Sequence, residues 1–205
     1  MICFLLALVK VIYFMRMKNY EIVIAGVRRI LPFVKIDDEL AYASFVVISD
    51  SELVSAAAPL LASRIKDCDI VLTAEAKGIA LAYEISKQLK HKEFAVARKS
   101  IKSYMKDPIS VPVSSITTFD PQRLYLDQSD MAKLKDKRVC LLDDVVSTGE
   151  SLNALKALAE KAGAKVVCNA CILAEGKAAD RDDLIYLEKL PLFKKTSEGE
   201  YEAIL

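Results

Sequence analysis

From Glu21 onward, short apolar runs rich in Val and Ile alternate with longer stretches in which apolar residues return at helical spacing. Runs of the first kind suit strands buried on one or both faces, and the second kind suits helices packed against them. The pattern predicts strands over 20–26, 43–49, 69–74, 93–98, 123–127, 138–143 and 165–174. It predicts helices over 51–65, 77–89 and 150–163. In the last of these Leu152, Leu155, Leu158, Ala159 and Ala162 share one face, and Gly163 stands where a helix ends in the left-handed conformation. Strand and helix alternating in this way imply an α/β fold, a largely parallel sheet flanked by helices.

Residues 99–122, KSIKSYMKDPISVPVSSITTFDPQ, break the rhythm. The segment carries three of the six prolines, several lysines and many hydroxyls, yet it joins two strands. A polar connection of that length in a compact domain is usually a functional lid or a linker.

Composition narrows the chemistry. The 205 residues are 53% hydrophobic and 28% charged, enough for one full core and against disorder. With 29 basic and 28 acidic residues there is no bulk electrostatic footprint for nucleic acid, so any phosphate recognition must be local. A single histidine, His91, leaves a Ser-His-Asp triad poorly supported and excludes a His-rich metal centre. Of five cysteines only Cys168 and Cys171 are close in sequence, and three-residue spacing on a strand sends them to opposite faces as buried free thiols.

The first seventeen residues, MICFLLALVKVIYFMRM, are more apolar than anything downstream. Lys10 interrupts them and about 20 apolar residues make a span, so they are a poor membrane helix. They also lack the charge and cleavage features of a signal peptide. The expectation is a start at Met15 or Met17, with an extra packed helix or weak anchor as the alternative; residues 1–17 are an extension and 18–205 the working domain, cytoplasmic and without stable membrane association.

The densest chemistry lies in VCLLDDVVSTGESL, Val139 to Leu152. Four apolar residues form a buried strand, so Asp143 and Asp144 emerge at its carboxyl end, where open α/β sheets hold their ligands. The turn that follows opens a helix whose first amides lack partners and attract an anion such as phosphate. Ser147 and Thr148 add hydroxyls, and Gly149 permits close backbone approach. Helix capping accounts for one acid but not two. A P-loop nucleotidase is excluded, because no GxxxxGK[ST] is present. A phosphate beside two carboxylates points to a hydroxyl-rich ligand that carries magnesium, such as a sugar phosphate.

At these residues the sequence resembles the type I phosphoribosyltransferases, whose signature is an apolar strand, two acids and a Thr-Gly turn into a helix. The resemblance implies binding of phosphoribosyl pyrophosphate (PRPP) and Mg2+. Asp143 and Asp144 would address the ribose hydroxyls and the metal, and Val146, Ser147, Thr148, Gly149, Glu150 and Ser151 would cradle the 5′-phosphate. Glu150 is a departure, since many members have a second glycine there. TAEAKG, Thr73 to Gly78, resembles the family's pyrophosphate loop, with Glu75, Ala76, Lys77 and Gly78 around the diphosphate. ARKSIKSYM resembles the RKxxK of adenine and orotate phosphoribosyltransferases, which assigns Arg98, Lys99 and Lys102 to the base of a catalytic lid.

AGVRRILPF, Ala25 to Phe33, is loosely similar to the base-recognising hood of adenine phosphoribosyltransferases, so Val27 and Arg28 would meet the base. Arg28 stands in the place of the expected aromatic and Ile30 in that of the acid. Ser147 occupies the position at which hypoxanthine-guanine enzymes carry a further Asp. The resemblance implies a hood built from segments near 20–40 and 175–205, a flexible lid at 99–122 and a homodimer. The implied reaction is phosphoribosyl transfer from PRPP to a purine, with adenine foremost. Orotate or xanthine specificity is the alternative within enzymes, and a non-catalytic PRPP sensor the alternative outside them.

Overall fold

The computed structural model describes residues 19–113 and 122–204. What is expected of the first seventeen residues and of the middle of the lid lies outside the described residues. Along the chain, β1 (Asn19–Ile24), β2 (Val27–Lys35) and β3 (Leu40–Ala43) precede α1 (Ser51–Arg64), β4 (Ile70–Ala74), α2 (Ile79–Gln88) and β5 (Ala95–Ala97). Next come β6 (Ile109–Pro112), β7 (Arg123–Leu126), α3 (Gln128–Leu134), β8 (Arg138–Val146), α4 (Glu150–Lys161) and β9 (Lys165–Glu175). A 3-10 turn (Gly176–Asp180) leads to β10 (Leu184–Ile185), β11 (Glu188–Leu190), β12 (Leu192–Lys195) and β13 (Tyr201–Ile204).

The larger sheet is wholly parallel, in the order β10-β9-β8-β4-β5 with β11 also on β9. Its central strand β8 shows why the sequence reads as an unbroken apolar run. Cys140 and Leu142 enter the core shared with α1, α2 and the small sheet, whereas Val139 and Leu141 enter the core under α4. Leu152, Leu155 and Leu158 of α4 are buried there. Truncating any one of them to Ala would cost about 2–5 kcal/mol.

The N- and C-terminal segments meet in a second, antiparallel sheet ordered β1-β2-β3-β12-β13, which forms the hood. Its apolar seam joins Tyr20, Phe33, Phe193 and Tyr201, with ring centroids 4.7–5.0 Å apart. Arg29 of β2 ties the hood to α1 by donating to both oxygens of Asp50 at 2.6 and 2.7 Å. Asp50 also caps α1, accepting from the Leu53 amide at 3.0 Å.

The α/β class, the parallel sheet and the three long helices match the pattern. Within 43–49 only Ala43 is in a strand: Phe45 and Val47 are buried while Val46 and Ile48 are exposed, so the alternation is real but no neighbouring strand pairs with it. The connection at 99–122 also carries order that its composition hides, because β6 pairs antiparallel with β7. Cys168 and Cys171 are free and face opposite cores, Cys171 buried and Cys168 partly exposed. Among the described residues no helix is long and apolar enough to cross a membrane.

Candidate functional site

Strand β8 does not end at Asp143, as the sequence implies, but continues to Val146. The two edges of the strand explain the difference. On one side β9 stays paired through Val146, opposite Ala174, while on the other the ladder with β4 stops at Thr73 opposite Leu142. From Asp143 onward β8 therefore has one free edge, and β4 and β8 fork apart. The order in which strands are added reverses at this fork, since β4 leads outward to β5 and β8 to β9 on the opposite side. Such a switch point at the carboxyl ends of parallel strands is where these sheets bind ligands.

The fork holds a cleft of about 270 Å³. Glu75, Ala76 and Lys77 from the β4–α2 turn form one wall, and Asp143, Asp144, Ser147 and Ser151 form the other. Lys99 reaches in from the start of the lid, and Val113, Gln122 and Leu124 close that side. The last three were not legible as site residues, because only the pairing of β6 with β7 brings them here.

The acids are poorly satisfied by the protein itself. Asp144 is 4% exposed, and its Oδ2 has no hydrogen-bond partner among the described residues. Asp143 accepts one hydrogen bond, from the Asp144 amide at 2.9 Å. Burial, reinforced by the neighbouring Asp144, pushes the Asp143 carboxyl up to about 7. Burial also raises Asp144, against the pull of Lys77. A buried oxygen without a partner costs stability unless something supplied from outside satisfies it. A divalent cation or sugar hydroxyl would do so, and two carboxylates completed by ligand oxygens suit Mg2+. The described residues hold no cluster of three or more His, Cys, Asp or Glu side chains able to cage a metal without such a ligand.

The two strand-to-helix turns are built differently. Gly149 takes the left-handed conformation, φ +83°, and starts α4 without a side-chain cap; apart from a long 3.5 Å hydrogen bond from the Glu150 amide to the Thr148 hydroxyl, the first-turn amides stay available. Thr148 and Glu150 are at the surface of this turn, whereas Val146 packs into the core and contributes backbone only. Gly78 has an ordinary φ, but a Cβ there would lie 2.2 Å from the Thr73 hydroxyl, so close packing demands glycine. The Glu75–Ala76 peptide is cis.

Glu75 faces the lid, accepting from the Lys99 amide at 3.0 Å with Arg98 Nη1 at 3.6 Å. Arg98 also donates to the Tyr104 hydroxyl at 2.6 Å, and Lys102 donates to Ser100 at 2.7 Å. Of the expected lid cations, Lys99 lines the cleft, while Arg98 and Lys102 stand outside it. Val27 and Arg28 lie in the hood on β2, Arg28 paired with Glu21, and neither lines the cleft. His91 is at the opposite end of the sheet, its Nε2 3.0 Å from the Cys68 carbonyl oxygen.

Glu175, at the end of β9, is a further neighbour that sequence reasoning did not assign. Burial raises its carboxyl, and the adjacent Ser147 hydroxyl works against that rise.

Residues 49–192 match the phosphoribosyl transferase domain family. An adenine phosphoribosyltransferase of Thermosipho africanus is 30% identical over 140 residues, 67% of this chain and 79% of that protein. A hypoxanthine/guanine phosphoribosyltransferase of Methanococcus voltae is 37% identical over 108 residues, 53% of this chain. The match covers 54% of that relative, so the chain spans about half the length of such curated relatives. The crystal structure of adenine phosphoribosyltransferase from Thermoanaerobacter pseudethanolicus shares the fold, with a TM-score of 0.55 at 19% identity over 85% of this chain and 96% of that one. On the strength of the family match and the Thermosipho relative, the chain belongs to the phosphoribosyl transferase domain family.

Proposed function

We propose that the protein is a purine phosphoribosyltransferase, which moves the 5-phosphoribosyl group of PRPP to a ring nitrogen of the base and releases pyrophosphate. The observation that carries this reading is the unsatisfied Asp144 carboxylate, set beside Asp143 and facing Lys77 across a cleft that ends in a helix-opening turn. One wall suits a diphosphate and the other a ribose 5-phosphate.

Displacement at ribose C1 separates charge: the ring becomes electron-poor and the diphosphate departs as an anion. Asp143 and Asp144 would hold Mg2+ and the ribose hydroxyls; when bound, the metal supplies charge neutralisation of the diphosphate. Lys77 and Lys99 add fixed positive charge on the leaving-group side. With Lys77 and a bound cation opposing the effect of burial, Asp143 and Asp144 would be ionised and favour the cationic ring. The lid-side residues Val113, Gln122 and Leu124 limit the access of water, which would otherwise hydrolyse the activated sugar. Arg98 and Lys102 begin outside the cleft, and closure of the lid would carry their charge toward the diphosphate.

Adenine, giving AMP, is the favoured acceptor, supported by the hydroxyl residue Ser147 and the Thermosipho relative. Hypoxanthine and guanine form the second reading, supported by the Methanococcus relative. A cytoplasmic homodimer without nucleic-acid partner is the working state this reading carries, supported by the family resemblance. Pyrophosphate release from PRPP with Mg2+, measured against adenine, hypoxanthine, guanine, xanthine and orotate in parallel, tests it. One strongly active purine is expected. Activity with orotate alone would overturn the purine assignment, and silence with all five, with PRPP still bound, would favour a sensor.

A further inference from the structure

The turn from Val146 to Ser151 contains no Lys or Arg, and it carries the negative Glu150. A cation reaches it from the far end of the sequence. Nη1 of Arg181 approaches Gly149 so closely that a Cβ at that glycine would lie 2.5 Å from it. The same guanidinium donates from Nε and Nη2 to the two oxygens of Asp183, both at 2.9 Å. Asn169 of β9 holds Asp183 in place, its Nδ2 donating to Oδ2 at 3.0 Å and to the Asp183 carbonyl oxygen at 3.2 Å. One edge of the guanidinium is thus fixed, while Nη1 makes no hydrogen bond among the described residues and lies against Gly149, in a groove beside the cleft that Leu152, Asn153 and Lys156 also line.

We propose that Arg181 is a phosphate-binding residue, whose Nη1 donates to the 5′-phosphate seated on the 146–151 turn. This rests on the reading of that turn as the ribose 5-phosphate cradle. The geometry suits arginine in particular. A planar guanidinium can spend two donors on Asp183 and still present a third, oriented in advance, to an anion. Lysine has the charge without the fork. Glycine at 149 then has two reasons, its positive φ and the room it leaves for the guanidinium.

The test uses the full chain with Mg2+ and two probes that address opposite ends of the cleft, ribose 5-phosphate and inorganic pyrophosphate. Arg181→Gln is expected to weaken ribose 5-phosphate roughly 10- to 100-fold, as loss of a charge-assisted hydrogen bond does, and to leave pyrophosphate affinity unchanged. Arg181→Lys should recover part of the loss. In turnover the same defect appears as a raised KM for PRPP with a smaller change in kcat. Wild-type affinity for ribose 5-phosphate in Arg181→Gln would overturn the proposal. Equal loss of both probes would also overturn it, since that marks a structural role. Wild-type protein that binds pyrophosphate but not ribose 5-phosphate would sink the Arg181 assignment alone, whereas binding of neither would sink the PRPP reading with it.

Discussion

Strands β4 and β8 carry acids near both of their ends, and the two ends treat them in opposite ways. At the amino edge Asp69, just before β4, is fully engaged by Arg138: its carboxylate accepts from the Arg138 amide at 2.8 Å and from the guanidinium at 2.8 and 3.1 Å. Hydrogen bonds from Arg138 hold the Asp69 carboxyl well below its ordinary range. At the carboxyl edge Asp144 keeps an unpartnered oxygen and burial raises both it and Asp143. The first acid is finished by the fold. The second is left for a ligand to finish, which is the physical mark of a site as opposed to a stabilising pair.

The largest effect that would sharpen this contrast comes from Asp144→Asn, expected to lower turnover by about 10²- to 10³-fold. Its melting temperature should hold, because burial opposes the Asp144 charge more than Lys77 favours it and Oδ2 has no hydrogen bond to lose among the described residues; full activity would break the comparison. Lys77→Ala and Lys99→Ala, on the leaving-group side, should each cost about 10- to 100-fold in kcat/KM for PRPP while sparing ribose 5-phosphate affinity.

The two glycines separate turn chemistry by stability instead. Gly149→Ala should destabilise by about 1–2 kcal/mol through the left-handed φ, and Gly78→Ala by about 1–3 kcal/mol through overpacking on Thr73. Adding Thr73→Ala should relieve the Gly78 variant and leave the Gly149 variant as it was, a pattern readable in denaturant melts.

The smallest effect belongs to the amino edge. Arg138→Ala should leave turnover untouched and lower the melting temperature by about a few degrees at most, since the pair is exposed. Because the folded Asp69 titrates below its unfolded value of about 3.9, its stabilisation is present above that pH and fades as pH falls through the lower, folded value. The Arg138→Ala difference should therefore shrink in acid.

Much of this arrangement is legible in the sequence, for identifiable reasons. Val139 to Leu142 are buried on alternate faces, so the apolar run announces a central strand, and the Asp143-Asp144 step out of it announces a site. Lys77 follows as the first cation after β4, and Lys99 comes directly after Arg98 beyond the end of β5. The hood was partly hidden, because β2 mixes Arg28, Arg29 and Pro32 into its pattern and gains its partners β1 and β3 by hairpin pairing. The 43–49 run misled in the other direction, showing strand periodicity without a strand to pair with. Arg181 carries no local signal at all. Its approach to Gly149 spans thirty-two positions and exists only after β9 and the 3-10 turn fold back along the sheet.

Equilibrium binding of PRPP with Mg2+ to the wild-type chain, Asp144→Asn and Asp69→Asn tests the central contrast most directly. The account predicts wild-type affinity in Asp69→Asn and a loss of at least about tenfold in Asp144→Asn. Equal affinity in all three proteins, or the loss falling on Asp69→Asn, would contradict it.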